Sequence, residues 1–483
     1  MADMEDRPRL SVVQVLSRWK RLDEPPAAPG HADTFWTQMN PRDRAFAFDL
    51  LQGVIRWRGL LDCVIAANLS RPMAGLDSAV RAILEVGVYQ LLLHGGVADY
   101  AAVDSSVEMA TAVGLPRAGA LVNAVLRGIT RMNVRVQRSS LLSRDSFPLD
   151  MERRMVFDRA MFPDPHLNRI GHLAVVTSHP PTLVDMLEKT VGSKQCQAIL
   201  IGNNARPIIT LRADNARFVP PPMAGLIRHE SPGFFIAAEG WNDQIDALVA
   251  AGLLSPQDPT AAEAVRAMVA ALESRRATLP SQLKILDLCA GMGTKTLQMA
   301  RALPGARVVA CDVVPAKLTA LQQRMDQAGV QTVQIQGADE LVRGIRGSCF
   351  DGVVVDVPCS NTGVMARRVQ SRWRWTALQR DDLARLQHDL LETGSKLVAS
   401  GGVLVYSTCS IQPGENERIV ARFMASQPPW KSWTIEQQKS ILPRVVSNPA
   451  QRCDGGFVCV LSWQRRDQRS GSGVLLPPAP ETR

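Results

Sequence analysis

The sequence Asp287-Leu288-Cys289-Ala290-Gly291-Met292-Gly293-Thr294-Lys295-Thr296 joins a short apolar run, which begins at Leu283, to a stretch with helical periodicity. A buried strand that turns at glycines into a helix is the opening unit of many parallel α/β sheets. The glycines let the backbone turn tightly and approach a ligand, which the N-terminus of the helix then faces. We therefore predict a ligand-binding loop between a first strand and its helix.

Further short apolar runs follow this unit, with helical stretches between most of them. They are Val308–Cys311, Val333–Ile335, Val353–Val355 and Val403–Tyr406. This alternation indicates a parallel sheet that helices bury on both faces. A last run, Phe457–Leu461, is predicted to add an antiparallel edge strand. The predicted fold class is α/β, with a Rossmann-like and mostly parallel sheet.

Three nucleotide-type ligands compete for the predicted loop. Asp312 ends the second run, where an acid can hold ribose hydroxyls. An NAD fingerprint prefers a third glycine at the position of Thr296, and a Walker A loop needs a glycine at the position of Thr294. S-adenosylmethionine carries no phosphate and needs neither glycine. A tight turn with no ligand is the alternative that these residues leave open.

Two cysteines follow later strands of the predicted sheet. Cys359 lies in Asp356-Val357-Pro358-Cys359-Ser360, and Cys409 lies in Tyr406-Ser407-Thr408-Cys409-Ser410. The carboxyl ends of parallel strands are where open α/β sheets place their sites. One cysteine at such a position is usually a small core residue. Two at neighbouring strand ends, one of them after Asp-x-Pro, favour chemistry.

A cysteine pair suits methyl transfer to cytosine, because C5 of the ring is too weak a nucleophile to attack a methyl sulfonium directly. A thiolate that adds to C6 turns the ring into an enamine, and C5 then becomes reactive. The reaction needs a nucleophilic cysteine, an acid near the ring amidine and a way to release the product. A free thiol is only a few per cent ionised at pH 7, so the site must favour the thiolate. On these residues alone, either Cys359 or Cys409 can be the nucleophile.

These motifs resemble the signatures of the RNA cytosine-5 methyltransferases of the Nop2/Sun group. The family patterns are Cys-Ala-Ala-Pro-Gly-Gly-Lys, Asp-Ala-Pro-Cys-Ser-x-Thr-Gly and Tyr-x-Thr-Cys-Ser. They correspond to Cys289–Lys295, Asp356–Gly363 and Tyr406–Ser410, which Pro413-Gly414-Glu415-Asn416-Glu417 follows. Two departures stand out: Met292-Gly293-Thr294 replaces Pro-Gly-Gly, and Asn361 stands where glycine or alanine is usual.

The resemblance implies a class I methyltransferase domain with S-adenosylmethionine as its cofactor. It places Asp312 at the ribose, Asp339 near the adenine, and Asp356 between the amino acid end of the cofactor and the target base. The loop residues that it places against the cofactor are Cys289, Ala290, Gly291, Met292, Gly293, Thr294 and Lys295.

For catalysis, the resemblance implies that Cys409 is the nucleophile and that Cys359 assists product release. It adds Asp356 to the catalytic set as the acid beside the base, and Lys295 as a side chain that reaches the base.

The resemblance extends to the N-terminal half, where Gly87–Leu92 is similar to the NusB-type domain of bacterial members that act on small-subunit ribosomal RNA. One predicted helical face there consists of Val80, Ile83, Leu84, Val88 and Leu91. Asn203–Pro207 resembles the segment that precedes the catalytic domain in the family.

The predicted organisation is a flexible arm over residues 1–30, a NusB-like helical domain over 31–138, a linker and mixed α/β pre-catalytic RNA-binding segment over 139–278, a methyltransferase domain over 279–466 and a disordered tail over 467–483.

The charge balance favours a polyanionic partner, since 55 Lys and Arg residues against 46 Asp and Glu residues give a net charge of +9. A basic cluster, which also holds two tryptophans, follows the first cysteine. It consists of Arg367, Arg368, Arg372, Trp373, Arg374 and Trp375. Guanidinium groups contact phosphates and an indole stacks on an extruded base, so we predict RNA contacts here. The alternative is a solvated basic helix with its tryptophans in the core.

Several function classes are excluded by what the sequence lacks. No apolar run approaches the ~20 residues that span a bilayer. Nine scattered cysteines without a Cys-x-x-Cys pair argue against a disulfide framework or a zinc site and fit a reducing cytoplasm. His94, His179 and His388 show no metal-ligand spacing. We therefore expect a cytoplasmic monomer with no metal and no membrane partner.

The function predicted from the sequence is methylation of C5 of a cytosine in RNA, with small-subunit (16S) ribosomal RNA as the substrate and a covalent Cys–C6 adduct as the intermediate. Two alternatives remain. One is a transfer RNA cytosine-5 methyltransferase. The other is a non-catalytic RNA-binding factor in ribosome assembly that keeps the fold.

Overall fold

The computed structural model describes residues 7–26, 36, 38–214, 218–221, 225–338, 340–341, 349–427 and 431–465. Two predictions fall outside the described residues, the disordered tail over 467–483 and the role of Asp339. None of the helices within the described ranges combines the length and the apolar character that crossing a membrane requires.

The N-terminal part is helical, as the apolar spacing predicts. Its helices are α1 Arg7–Ser17, α2 Pro41–Ala66, α3 Ser78–Tyr89, α4 Asp99–Ala112 and α5 Gly119–Thr130, with short turns at Met73–Gly75, Gln90–His94 and Pro116–Ala118. Local signals start them: the Asn40 side chain accepts from the Asp43 amide ahead of α2, and Asp77 caps α3. The predicted face of α3 points into the core, where Val80, Ile83, Leu84 and Val88 are buried.

Helix α1 corrects the prediction that residues 1–30 form a flexible arm. Its apolar side chains Leu10, Val13 and Leu16 are buried in the same core as those of α2 and α3. The helix is amphipathic and short, and its pattern is hard to tell from a solvated arm without the helices that cover it. Residues 7–26 therefore belong to the helical domain.

The region predicted as a linker after residue 138 contains a small sheet. Strands β1 Arg135–Arg138, β2 Ser146–Pro148 and β3 Arg153–Val156 pair antiparallel in the order β1-β3-β2. Phe147, Phe157 and Phe162 bury their rings in the core of the helical domain. The linker prediction is wrong for this stretch because isolated phenylalanines between serines and charges give no periodic signal.

The pre-catalytic segment combines three helices with a second sheet. The helices are α6 Arg169–Val176, α7 Pro181–Val191 and α8 Ser193–Gly202. The sheet has the antiparallel order β5-β6-β4-β7, with β4 Thr210–Ala213, β5 Leu226–Arg228, β6 Phe234–Ala237 and β7 Leu254–Pro256, and helix α9 Asp243–Ala250 precedes β7. The segment is thus a folded unit with its own small core, which includes Leu211, Phe235 and Ile245.

The catalytic domain contains the predicted α/β sheet. Its strands are β8 Lys284–Asp287, β9 Arg307–Asp312, β10 Val333–Gly337, β11 Phe350–Asp356, β12 Val398–Thr408, β13 Lys431–Ile441 and β14 Gly456–Arg465. The spatial order is β10-β9-β8-β11-β12-β14-β13, and the first five of these pair in parallel. Every predicted apolar run lies in a strand, so the mostly parallel Rossmann-like sheet is confirmed.

Helices cover both faces of this sheet. They are α10 Pro259–Glu273, α11 Thr294–Ala302, α12 Pro315–Gln327, α14 Ala377–Leu397 and α15 Glu417–Ser426. The short helix α13 Ser371–Arg374 faces the helical domain, and a short turn lies at Pro449–Gln451. The chain runs outward from β8 to β9 and β10, and then returns to the other side of β8 as β11. Such a reversal of strand order opens a crevice at the carboxyl ends of the strands, where ligands bind in this fold class.

The predicted edge strand is not at the edge. Strand β14 pairs antiparallel with β12 on one side and with β13 on the other. Its run Phe457–Leu461 is buried, whereas residues 434–440 of β13 are exposed. Because β13 reads as a polar sequence, its pairing could not be predicted from an apolar run.

Arg372 lies at the junction of the three parts of the chain. It is 0% exposed, and its guanidinium donates to the carbonyl oxygens of Arg56 and Asn203, each at 2.9 Å. It also donates to Asn204 Oδ1 at 2.7 Å and lies 3.3 Å from the Ser178 carbonyl oxygen. The prediction that Arg372 contacts RNA phosphates is wrong, because the side chain is buried on carbonyl groups of the helical domain and the pre-catalytic segment.

The two tryptophans of the basic cluster are also structural. Trp373 is buried; its indole nitrogen donates to the Ile55 carbonyl oxygen at 2.8 Å, and its ring packs edge-on against Trp19 at 6.0 Å. Trp375 is buried in the core of the pre-catalytic helices. Neither ring presents a face to solvent, so the predicted stacking of Trp373 on a base is wrong.

The buried guanidinium makes a testable prediction about stability. Arg372→Met keeps the bulk of the side chain but leaves four buried acceptors without their donor, so it should lower the free energy of unfolding by about 3 kcal/mol. Arg374→Met is the matched control, because Arg374 lies in the same short helix and is exposed; its change should stay within about 0.5 kcal/mol. Urea denaturation of both variants measures the difference. Equal urea midpoints for the two variants would show that the buried hydrogen bonds of Arg372 do not stabilise the fold.

Candidate active site

The loop after β8 adopts the turn that the glycines predict. Gly291 and Gly293 have φ angles of 57° and 82°, a left-handed region that disfavours other residues. A Cβ atom on Gly293 would lie 2.9 Å from Leu321, so glycine is required there for packing as well. Thr294 replaces the second glycine of the family pattern and Gly291 stands where that pattern has alanine, so a different pair of glycines makes the turn here. The Met292 side chain is exposed.

Asp312, at the end of β9, ties this loop to the sheet. One carboxylate oxygen accepts from the Gly291 amide at 3.0 Å, and the other accepts from the Val314 amide at 3.0 Å. The Lys317 ammonium lies 3.5 Å from the same carboxylate. The residue predicted to hold a ribose therefore lies beside the loop, and its position is fixed by two backbone amides.

Lys295 and Asp356 form an ion pair beneath the loop. The Lys295 ammonium lies 2.6 Å from Asp356 Oδ2, and the Ser407 hydroxyl donates to Asp356 Oδ1 at 2.7 Å. Burial opposes protonation of Lys295, but the charge and the hydrogen bond of Asp356 outweigh it and raise the pKa of the lysine. The site thus holds a permanent cation next to an oriented carboxylate.

The structure brings the two cysteines together. Cys359 Sγ lies 2.9 Å from Cys409 Sγ, although 50 positions separate them in sequence. The hydrogen bond with Cys409, followed by burial, raises the pKa of Cys359 well above its ordinary value. Cys359 is consequently a neutral thiol at pH 7.

Asn361, the second departure from the family pattern, contacts both cysteines. Its φ angle is 60°, a conformation that asparagine and glycine adopt more readily than other residues. Its Nδ2 donates to the Cys359 carbonyl oxygen at 2.9 Å, which orients its Oδ1 to accept from Cys409 Sγ at 3.1 Å. The substitution adds an amide to the site without changing the turn that a glycine would make.

Glu415, for which the motifs predict no role, organises the segments that follow both cysteines. The carboxylate is fully buried and accepts from the Ser360 amide at 2.8 Å and the Ser410 hydroxyl at 2.8 Å. Gln387 and Gln412 donate to it at 2.9 and 2.7 Å. Its position in Pro413–Glu417, shortly after the motif that contains Cys409, is the signal that could have identified it.

Asp287 is a second functional-site residue without a predicted role. It ends β8, and its Oδ2 accepts from the Thr296 hydroxyl at 2.7 Å. Burial, against the opposing hydrogen bond from Thr296, raises the pKa of Asp287 to about 7. A carboxyl group that titrates near neutrality thus lies under the loop, next to the Lys295–Asp356 pair.

A cavity of about 610 Å³ opens onto several of these groups, whereas Asp312, Cys359, Asn361 and Glu415 do not line it. The loop residues from Cys289 to Lys295, other than Gly293, line one part of it, together with Asp287, Asp356 and Cys409. Residues of the pre-catalytic segment line another part, so the site lies between two units of the chain. The described residues hold no cluster of three or more His, Cys, Asp or Glu side chains that could bind a metal ion.

Of the predicted RNA-contacting residues, two arginines reach this cavity. Arg367 lines it with a side chain that is 30% exposed, and ion pairs with Asp454 at 2.7 Å and Asp258 at 3.4 Å engage its guanidinium. Arg368 also lines the cavity and is exposed. Arg374 is exposed but does not line it.

Asp287 makes stability depend on pH in a defined direction. Because its pKa is raised from 3.8 to about 7, the folded chain keeps a proton that the unfolded chain releases. The stabilisation is complete below about pH 4 and is lost as the pH rises through 7. The Asp287→Asn variant has no carboxyl group to ionise at this position. Between pH 5 and pH 8, the free energy of unfolding of the wild type should therefore decrease by roughly 2–4 kcal/mol more than that of the variant.

Urea denaturation at both pH values measures this difference. Asp381→Asn is the control, because the Asp381 side chain is 63% exposed and should leave the pH dependence of the wild type unchanged. Equal pH dependence in Asp287→Asn and the wild type would show that Asp287 is ionised in the folded protein throughout this range.

Comparison with known proteins agrees with this geometry. Residues 277–459 match the family model of the 16S rRNA methyltransferase RsmB/F, and residues 6–131 match that of the NusB family. Ribosomal RNA small subunit methyltransferase B of Klebsiella pneumoniae subsp. pneumoniae is 30% identical over 420 residues, which cover 81% of this chain and 84% of that protein. A probable enzyme of the same name from Synechocystis sp. is 28% identical over 433 residues, covering 83% and 85%.

Among solved structures, the crystal structure of PH0851 covers 95% of this chain and 99% of its own, with a TM-score of 0.66 and 18% identity. That likeness shows a shared fold along nearly the whole chain. Together with the family match over the catalytic domain and the NusB match over the helical domain, these relatives show that the chain belongs to the RsmB/F family of 16S rRNA methyltransferases.

Proposed function

We propose that this enzyme methylates C5 of a cytosine in 16S ribosomal RNA with S-adenosylmethionine, through a covalent bond between Cys409 and C6. The observation that carries the proposal is the pair of thiols 2.9 Å apart. Cys409 opens on the same cavity as the glycine loop and the Lys295–Asp356 pair. The names of the relatives support 16S ribosomal RNA as the substrate.

The loop fits S-adenosylmethionine. Space is open where a Cβ atom on Gly291 would project, so a ligand can approach the backbone there. Cys289 to Lys295 and Asp312 would hold the cofactor, with Asp356 at its amino acid end. When bound, S-adenosylmethionine supplies an electrophilic methyl group.

The ion pair prepares the addition step. The Lys295 ammonium and Cys409 line the same cavity, so a cation faces the space in which the sulfur attacks. The Cys409 thiolate attacks C6, and the electron pair of the C5–C6 double bond moves toward C5 and the ring amidine. Asp356 accepts a hydrogen bond from the N4 amino group, while Lys295 donates to the side of the ring that gains negative charge.

The second cysteine serves the release step. Once Cys409 is bonded to C6, its sulfur carries no charge that opposes a thiolate on Cys359, so one of the causes that raise the pKa of Cys359 is removed. Cys359 then loses its proton to water and takes the proton from C5. The C5–C6 double bond re-forms, the C6–sulfur bond breaks, and Cys409 leaves as a thiolate.

The assignment of the cysteines predicts opposite outcomes for two variants. Cys359→Ala permits addition and methyl transfer but slows elimination, so a protein–RNA adduct should accumulate with S-adenosylmethionine and survive a denaturing gel. Cys409→Ala should give no adduct and almost no product, because C5 gains no enamine character. The double variant should match Cys409→Ala, since the two residues act in sequence.

Cys349→Ala is the control for the cysteine experiment, because Cys349 precedes the start of β11, at the opposite end of the strand from Asp356, and should behave as the wild type. An adduct that accumulates in Cys409→Ala and not in Cys359→Ala would reverse the two roles. Normal methylation by both single variants would rule out the covalent route.

The substrate is tested by transfer of labelled methyl groups to unmodified 16S ribosomal RNA and, in parallel, to unmodified transfer RNA. We expect incorporation into the ribosomal RNA alone, at one cytosine that bisulfite sequencing identifies. Incorporation into transfer RNA alone would favour the transfer RNA enzyme. Tight binding of ribosomal RNA without any transfer would favour the non-catalytic assembly factor.

A further inference from the structure

One part of the catalytic cavity is lined by residues that no step of the proposed mechanism uses. It comes from the pre-catalytic segment and includes Trp241, which follows strand β6. The Trp241 side chain lines the cavity and is still 41% exposed. Most other tryptophans of the described chain are buried, so Trp241 differs from them in keeping its ring accessible at the active site.

The orientation of Trp241 is fixed by contacts on its polar edge. Its indole nitrogen donates to Asp246 Oδ1 at 2.6 Å. The next residue, Asn242, caps helix α9 by accepting from the Ile245 amide at 2.9 Å. With the nitrogen satisfied and the following backbone anchored, the exposed surface of the ring is apolar and held in place, which are the properties of a stacking platform.

Arg368 supplies a cation at the same cavity. Its neighbour Arg367 is held by Asp258 and Asp454, whereas Arg368 is exposed and forms no ion pair with any residue that the structure describes. A guanidinium that is free of carboxylates is available for a phosphate.

We propose that Trp241 and Arg368 hold the nucleotide next to the target cytosine, with the indole stacked on its base and the guanidinium on its phosphate. The inference rests on the proposed function. A cytosine must leave its stack to reach Cys409, and its neighbour in the strand then loses a stacking partner. An aromatic ring and a cation that line one cleft are how proteins bind such unpaired nucleotides, with little regard to sequence.

The experiment measures binding of an unmodified 16S ribosomal RNA transcript and of S-adenosylmethionine to the full-length protein. Trp241→Ala should weaken RNA binding about tenfold, while Trp241→Phe should stay close to the wild type because it still stacks. Trp241→Leu keeps apolar bulk without an aromatic face and should resemble the alanine variant, which separates stacking from packing. Affinity for S-adenosylmethionine should be unchanged in all three.

The arginine is tested through salt dependence. Arg368→Ala should reduce the slope of log affinity against log salt by about 0.7, the value for one phosphate contact on a single strand. Arg374→Ala is the matched control, since it removes an exposed arginine that does not line the cavity, and its slope should equal that of the wild type.

Three outcomes would overturn the inference. They are unchanged RNA binding in Trp241→Leu, a loss of S-adenosylmethionine binding in place of RNA binding, and a salt slope in Arg368→Ala equal to that of Arg374→Ala. Methyl transfer by the wild type is measured on the same transcript, so a failure of the proposed function is recorded separately. The binding comparison reports on Trp241 and Arg368 whether or not transfer occurs.

Discussion

Parallel pairing of β11 with β8 on one side and β12 on the other is the constraint on which the active site depends. Val354 pairs with Asp287, and Asp356 pairs with Ser407, so the three strands end at one edge of the sheet. The loops that follow them carry the glycine turn, Cys359 and Cys409. Residues far apart in sequence become neighbours because parallel strands end together, and each loop has only a few residues in which to place its side chain.

Buried polar groups then hold these loops in place. Glu415 joins the residues after both cysteines, and Asp312 joins the glycine loop to β9. A buried carboxylate is costly unless it is fully hydrogen-bonded, so each of these networks favours one arrangement of its loop. The thiol pair is the exception, since the contact between the two sulfurs joins groups that the proposed reaction changes.

The sequence predicts well those parts of the molecule whose structure is determined by residues that are close together in the chain. Apolar runs mark the parallel strands because both of their faces are buried, and glycines mark the loop because the turn needs left-handed residues. The predicted RNA contacts of Arg372 and Trp373 are wrong because both side chains are buried. A guanidinium binds phosphates and buried carbonyl groups equally well, so only the tertiary fold shows which of them Arg372 contacts. Strand β13 is polar, and Trp241 is an isolated aromatic residue, so neither gives a periodic signal.

The buried position of Arg372 restricts how the three parts of the chain can move relative to one another. One guanidinium fastens the helical domain and the pre-catalytic helices to the segment that follows Cys359, and Trp373 inserts beside it into the helical core. The domains therefore cannot swing freely about a hinge at this point. A ligand that contacted both the helical domain and the catalytic cavity would meet two surfaces whose spacing and orientation these contacts restrict.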